Sequence, residues 1–139
     1  MSFLHLHPRA SELFAVTAGH VLTEMVPEAG VFDADGNQRV IRTELGPGMM
    51  TVFPGGSFHT QLNVECEPAT IAASFTSEDP GTGVVVGQTF ALGDDVIANS
   101  FGQVISGEDI DAVRHAIPKG LDIKIEQCLD KCGIQKRQI

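Results

Sequence analysis

The sequence predicts a mainly β domain with helices at its C-terminal end. Up to about residue 92, short runs of apolar and β-branched residues alternate with turn signals such as Asp33-Ala-Asp-Gly-Asn37, Gly46-Pro-Gly48 and Pro54-Gly-Gly56. Beyond that point, apolar residues recur at helical spacing. Strands first and helices last favour a β-barrel or sandwich over residues 1–92 and a helical appendage of the same domain over residues 93–139.

Each predicted element follows from local composition. Strands are expected at 12–18 and in the residues after Gly19, then at 39–45, 49–53, 57–64 and 69–75, with 82–92 as a last extended segment. A short helix is expected over 94–101, and Ser106-Gly-Glu-Asp109 resembles the start of a second that Pro118 ends. The last helix has an apolar stripe of Leu121, Ile125, Cys128, Leu129 and Cys132.

Composition and charge exclude several classes of function. The chain has 139 residues, 42% hydrophobic and 19% charged, which suits one folded domain. Its net charge of −9 argues against nucleic acid as a partner. No apolar run approaches the roughly 20 residues of a spanning helix, so membrane attachment is not expected. No leader is visible at the start, which predicts a cytoplasmic protein.

The chain contains three cysteines, and Cys128 and Cys132 lie four residues apart in the last predicted helix. That spacing puts both on one helix face, where a disulfide between them would be strained. We therefore expect reduced and mostly buried thiols.

Four residues form a pattern typical of a metal site. His5 and His7 are two residues apart, so in a strand both imidazoles point to the same side. Glu12 follows after a turn, and His59 lies on a later strand. Imidazole nitrogens and one carboxylate suit a borderline divalent ion such as Mn, Fe, Ni, Cu or Zn. Three histidines and one glutamate leave two positions open on an octahedral ion, where water or substrate can bind.

Other residues are expected to take supporting roles. Gln61 and Asn63 share a strand face with His59, so they are candidates to orient a substrate or a proton. Phe14, Val16 and Phe75 are candidates to line a substrate pocket, although packing in the core is the more common role for such residues.

Two spaced motifs resemble those of the germin-like and spherulin-like cupins, the latter in their fungal form. The first is His5-x-His7-x4-Glu12-x6-Gly19, and the second is Gly48-x5-Pro54-x-Gly56-x2-His59-x3-Asn63. The ending Cys128-Leu-Asp-Lys-Cys-Gly-Ile134 is similar to the spherulin-like branch. The resemblance implies a double-stranded β-helix, or jelly-roll barrel, with C-terminal helices. It also implies one metal ion, most often manganese, held by His5, His7, Glu12 and His59, and oligomers built from dimers.

The resemblance also leads to an expectation about assembly. Germin-like chains carry outer strands ahead of the first motif, whereas here the first ligand is residue 5. A barrel without those strands exposes a sheet edge and part of its pocket. We expect a second subunit to cover that edge in a homodimer or higher oligomer, with a swapped N-terminal segment as one route.

Several functions are compatible with such a site. An open metal centre suits an enzyme that oxidises, isomerises, dehydrates or decarboxylates a small organic molecule, for instance in secondary metabolism. Plant oxalate oxidases have an asparagine that would align near Ser2, so oxalate oxidation is not favoured. The alternatives are a non-catalytic storage or stress protein and an activity like that of superoxide dismutase.

Overall fold

In the part of the chain that the structure describes, two antiparallel sheets are followed by four short helices. This computed structural model describes residues 1–120, 123 and 125–134. One sheet has five strands in the order β4-β3-β6-β1-β8, and the other has three in the order β5-β2-β7. The prediction of a mainly β fold with C-terminal helices is confirmed.

The strands lie close to where the sequence predicts them. They are β1 His5–Leu6, β2 Glu12–Ala18, β3 Val21–Val26, β4 Ile41–Leu45, β5 Met50–Phe53, β6 Phe58–Asn63, β7 Thr70–Phe75 and β8 Gly83–Val84. The predicted hairpin tip at 33–37 is a tight turn in which the N–H of Asp33 donates to the carbonyl of Asn37 over 2.9 Å. Gly36 has a φ of +81° in this turn, a conformation that favours glycine.

Side chains from both sheets meet in one core. Inward residues of β2 and β3 alternate with more exposed ones, as the two-residue period of a strand requires. The core consists of Phe14, Val16, Val21, Met25, Leu45 and Phe53. Because Phe14, Val16 and Phe53 come from the three-stranded sheet and the others from the five-stranded one, burial of this cluster holds the two sheets together.

The prediction of an extended segment over residues 82–92 is wrong for most of that range. Only Gly83–Val84 is a strand, and Val85–Thr89 forms helix α1. The partner strand β1 has only two residues, so the ladder ends after His5 pairs with Val84 and Leu6 with Gly83. The carbonyl of Val85 accepts the hydroxyl of Thr89 over 2.8 Å, within the turn that replaces the strand.

The remaining helices are α2 Asp94–Ser100, α3 Gly107–Ala116 and α4 Glu126–Lys131. The predicted start of α3 is confirmed, because the carboxylate of Asp109 accepts both the backbone N–H and the hydroxyl of Ser106 at 2.8 Å. Leu121, the first residue of the predicted apolar stripe, lies outside the described residues. No helix in the described ranges is both long and apolar enough to cross a bilayer.

The expectation of reduced cysteines is wrong. Cys66, in the loop between β6 and β7, forms a disulfide with Cys132 at the end of α4, and Cys128 is free. The two bonded residues are 66 apart in sequence, so no local spacing indicates the pair. Near the same segment, Met1 and Ile123 exchange backbone hydrogen bonds of 2.7 and 3.1 Å. The C-terminal segment is thus attached to the barrel at two points.

Candidate metal centre

Three strands from both sheets bring the predicted ligands together. His5 on β1 lies directly opposite His59 on β6. Glu12 begins β2 in the other sheet, where it is 4% exposed. His7 follows β1 and is 7% exposed. The four side chains therefore converge between the two sheets from positions up to 54 residues apart.

The spacing of the four groups fits a single ion. One ligand atom from each of His5, His7, Glu12 and His59 lies within 4.8 Å of the other three. Two ligands bound to one ion at about 2.1 Å on opposite sides are about 4.2 Å apart, so the observed spread is close to that of a metal site. No other group of this kind occurs among the residues that the structure describes.

In each of the three histidines of the centre, a backbone carbonyl lies within hydrogen-bond distance of the same ring nitrogen, Nδ1. Nδ1 lies 2.8 Å from the carbonyl oxygen of Phe3 in His5, 2.6 Å from that of Gly81 in His7, and 2.9 Å from that of Ser57 in His59. A carbonyl oxygen only accepts, so Nδ1 must hold the ring proton in each case. The Nε2 lone pairs are then available to a metal, and such carbonyl contacts are the usual support of ligating histidines.

The contacts of the Glu12 carboxylate indicate that a cation binds among these groups. Its Oε2 lies 3.0 Å from Nε2 of His7 and 3.2 Å from Nε2 of His59. With Nδ1 protonated, these nitrogens and the oxygen all present lone pairs, which repel one another at such distances. A proton on Nε2 or a metal ion among the three atoms removes the repulsion. The donor set therefore fits a divalent cation.

Burial and aromatic packing hold the imidazoles in place. Desolvation lowers the pKa of His5 below its ordinary value, although the hydrogen bond to Phe3 opposes this, and the ring is favoured in the neutral form that binds metals. Phe53 stacks on His59 with ring centroids 4.2 Å apart and planes 6° apart. Phe75 meets His7 edge to face at 4.7 Å. These contacts fix the orientation of the imidazole rings.

An open cavity of about 280 Å³ adjoins these ligands. It is reached by His5, His7 and Glu12, and its other lining residues are Ser2, Phe3, Phe14, Gln61, Ile71, Phe75, Thr82 and Val84. The wall is mostly apolar, and no lysine or arginine among the described residues contributes to it. A small organic ligand fits this character better than a strongly anionic one.

Some of the other predicted site residues line the cavity, and others do not. Gln61, Phe14 and Phe75 line it, whereas Val16 is 1% exposed within the core. The side chain of Asn63 instead holds the next loop, since its amide donates to the carbonyl of Glu67 over 2.8 Å and its oxygen accepts the N–H of Glu65. Asn63 is therefore engaged in a turn.

Ser2 is a lining residue that sequence reasoning did not propose as a site residue. Its hydroxyl donates to the side-chain oxygen of Gln61 and accepts the backbone N–H of Gln61 over 3.0 Å. The alignment of Ser2 with an asparagine of plant oxalate oxidases marks the position, but the contact itself depends on pairing between the N-terminal residues and β6. Because its oxygen is bonded to Ser2, the Gln61 side chain has its amide N–H groups left to donate toward the cavity.

Comparison with known proteins agrees with this geometry. The model of the cupin family matches residues 1–109 of the chain. The chain belongs to the cupin family. The prediction of a germin-like or spherulin-like cupin is likewise confirmed by the relatives. Spherulin-1A of Physarum polycephalum is 33% identical over 129 residues, covering 93% of this cupin and 49% of the relative. Germin-like protein 4-1 of Oryza sativa subsp. japonica is 35% identical over 114 residues, covering 79% and 43%.

Solved structures show the same fold. An oxalate oxidase structure superposes with a TM-score of 0.69 at 23% identity, covering 81% of this cupin and 55% of that chain. Oxalate decarboxylase from Bacillus subtilis gives 0.65 at 24% identity, covering 81% and 27%. At these identities the likeness concerns the fold alone. This cupin spans about half the length of the curated relatives described above.

Proposed function

We propose that this cupin is a metal-dependent enzyme that acts on a small organic molecule at a mononuclear centre formed by His5, His7, Glu12 and His59. The observation that carries the proposal is the convergence of one ring nitrogen from each of three histidines and one carboxylate oxygen beside a cavity. A divalent ion at this point would supply Lewis acidity or a binding site for dioxygen. Manganese is the proposed ion, and Fe, Zn, Ni and Cu are the alternatives.

The lining of the cavity supports one class of substrate. Apolar side chains such as Phe3, Ile71 and Val84 dominate it, and the polar donors are few. A molecule with two oxygens that chelate the ion and an apolar body would satisfy both parts of the site. In this proposal Gln61, whose side-chain oxygen accepts the hydroxyl of Ser2, would donate a hydrogen bond to an oxygen of that molecule.

The first experiment measures the metal. The purified chain is analysed for bound elements, depleted with a chelator and titrated with Mn²⁺, beside the variants His59→Ala and His115→Ala. His59 is 1% exposed within the centre, whereas His115 is exposed on α3, so it serves as the matched control. We expect one ion per chain in the wild type and in His115→Ala, and at least about tenfold weaker binding in His59→Ala. Equal binding by all three proteins would refute the metal centre.

The second experiment tests the substrate class. Acetohydroxamate and benzohydroxamate share the same chelating group and differ only in the apolar body. The ratio of their affinities for the Mn²⁺-loaded protein therefore measures how strongly the cavity favours an apolar body. We expect the phenyl compound to bind at least about tenfold more tightly, since burial of a ring adds apolar contact. Equal affinities would contradict an apolar substrate and favour a non-catalytic or dismutase-like protein.

The location in the cell stays a prediction. The cytoplasm is the compartment expected from the sequence, but the bond between Cys66 and Cys132 weighs against a reducing compartment, where structural disulfides are rare. Fractionation of the source cells, followed by thiol labelling before reduction, would decide between the two.

A further inference from the structure

His7 differs from the other two histidines of the metal centre in where its hydrogen-bond acceptor comes from. The carbonyls that accept the Nδ1 protons of His5 and His59 lie two residues earlier in the same segments. The carbonyl that accepts the Nδ1 proton of His7 belongs to Gly81, which is 74 residues away in sequence and lies 2.6 Å from the nitrogen. The tautomer of His7 therefore depends on the position of a distant loop.

That loop is residues 76–82, between β7 and β8, and it contains no helix or strand. Because no ladder of hydrogen bonds fixes its backbone, the position of Gly81 depends on other contacts. Arg9 provides the contacts nearest to Gly81. Its N–H donates to the carbonyl of Pro80 over 3.1 Å, its Nε donates to the carbonyl of Asp79 over 3.1 Å, and its Nη2 donates to Oδ1 of Asp79 over 2.7 Å.

The guanidinium group of Arg9 also packs against Gly81 itself. A Cβ on Gly81 would lie 2.8 Å from Nη2 and 3.0 Å from Cζ of Arg9. The φ of Gly81 is +64°, a conformation that favours glycine. Gly81 is thus covered on one side by Arg9 and bonded through its carbonyl to His7.

We propose that Arg9 is a positioning residue of the metal centre, which clamps the loop so that the carbonyl of Gly81 keeps the ring proton of His7 on Nδ1. The three hydrogen bonds from Arg9 to Asp79 and Pro80 form this clamp. The proposal rests on the proposed function, since the clamp acts on a ligand of that metal centre. Arg9 acts through the loop and is not itself a ligand.

The clamp is important because His7 has a competing tautomer. Nε2 of His7 lies 3.0 Å from Oε2 of Glu12, which is close enough for a hydrogen bond if the proton moves to Nε2. In that tautomer the ring donates to the carboxylate, and the Nε2 lone pair is no longer available to an ion. With Gly81 as the acceptor, the proton stays on Nδ1 and both atoms remain open to a cation. The position of the loop therefore controls the affinity for metal.

An ordinary surface ion pair is the alternative explanation for Arg9. Its side chain is 56% exposed and that of Asp79 is 74% exposed, and such pairs contribute little to stability. Two of the three hydrogen bonds, however, end on backbone carbonyls beside Gly81, so they fix the path of the chain. Arg42 forms a similarly exposed pair with the carboxylate of Glu24 over 2.7 Å, across β3 and β4. Arg42 is therefore the matched control.

The affinity for Zn²⁺ distinguishes the two explanations. Arg9→Met removes both side-chain hydrogen bonds to Asp79, whereas Arg42→Met removes the same charge and the pair with Glu24. We expect Arg9→Met to bind Zn²⁺ about tenfold less tightly than the wild type, as is usual when the support of a ligating histidine is lost. Arg42→Met should bind as the wild type does. Arg9→Lys keeps the charge but not the planar fork, so its affinity should lie between the two.

Exchange of the ring protons shows whether the effect passes through His7. Zn²⁺ is diamagnetic, so the Nδ1 protons of the bound histidines can be followed by proton NMR as they exchange with water. We expect exchange at His7 to be at least about tenfold faster in Arg9→Met, because its carbonyl acceptor is no longer held in place. Exchange at His5 and His59 should be unchanged, since their acceptors belong to their own segments.

Equal Zn²⁺ affinities of Arg9→Met and Arg42→Met, or equally faster exchange at all three histidines, would overturn the proposal and leave the metal centre intact. If Arg9→Met does not fold, Asp79→Ala removes the partner of the guanidinium with the same expectation, and Glu24→Ala is its control. A wild type that bound neither Zn²⁺ nor Mn²⁺ would refute the metal centre instead. Faster exchange confined to His7 in the metal-free variant would then still support the clamp, and its absence would reject it.

Discussion

Oε2 of Glu12 lies 3.0 Å from Nε2 of His7, two atoms that both carry lone pairs when Nδ1 of His7 donates to the carbonyl of Gly81. His59 has the same relationship to Glu12 at 3.2 Å. The backbone thus selects the tautomer, and the tautomer makes the centre repulsive without a cation or extra protons. The metal-binding character follows from these hydrogen bonds as much as from the ligand residues themselves.

Glu12→Gln tests this relationship. The side-chain amide can donate to Nε2 of His7 or His59, so the metal-free variant should be at least as stable as the metal-free wild type. It should bind Mn²⁺ at least about tenfold less tightly, because the negative ligand is lost. Thermal unfolding with and without Mn²⁺ measures both effects. If metal stabilised the variant and the wild type equally, the carboxylate would not be a ligand.

Removing the disulfide should destabilise the fold. Cys66 and Cys132 are 66 residues apart. A cross-link over such a loop lowers the entropy of the unfolded chain and so raises the free energy of unfolding by about 4 kcal/mol. We expect Cys66→Ser to lower the midpoint of thermal unfolding by about 10 °C under oxidising conditions. Cys128→Ser, which leaves the bond in place, is the control. Similar midpoints for both variants would show that the bond contributes little.

Gly19 should tolerate no side chain. It has a φ of +76°, and an added Cβ would lie 2.8 Å from Cα of Ala69. Gly30 has a φ of +89° with nothing within 4 Å, so Gly30→Ala measures the cost of the backbone conformation alone, about 1–2 kcal/mol. Gly19→Ala should cost about 1–3 kcal/mol more because of the steric clash. Denaturant unfolding of the two variants gives the difference, and equal losses would contradict the close contact.

Asp109 should contribute to stability in a pH-dependent manner. Hydrogen bonds from the backbone and side chain of Ser106 lower the pKa of Asp109. A carboxyl group whose pKa is lowered on folding stabilises the protein above its unfolded pKa, and that contribution is lost as the pH falls through the folded pKa. Asp109→Ala should therefore be less stable than the wild type at neutral pH, and the difference should disappear in acid.

Unfolding free energies from pH 7 down to pH 2 check this expectation. Glu108→Ala is the control for a nearby acidic residue in the same first turn. A difference between Asp109→Ala and the wild type that persisted unchanged in acid would show that the hydrogen bonds to the carboxylate are not its source.

Local sequence signals predicted much of the fold. Turn residues and alternating apolar residues located five of the strands to within about two residues, and the box at Ser106 located the start of α3. At 82–92 the prediction fails because β1 offers only His5 and Leu6 for pairing with β8, and the chain turns into helix α1 from Val85 onward.

The sequence alone predicts which side chains meet, because two spaced motifs place His5, His7, Glu12 and His59 on or next to strands that face one interior. It did not determine the pairing of Cys66 with Cys132, the contact of Ser2 with Gln61 or the diversion of Asn63 into a turn. Each of those depends on how segments far apart in the chain approach in space. Spacing along the chain specifies a face of a strand, whereas only tertiary packing specifies what lies across from it.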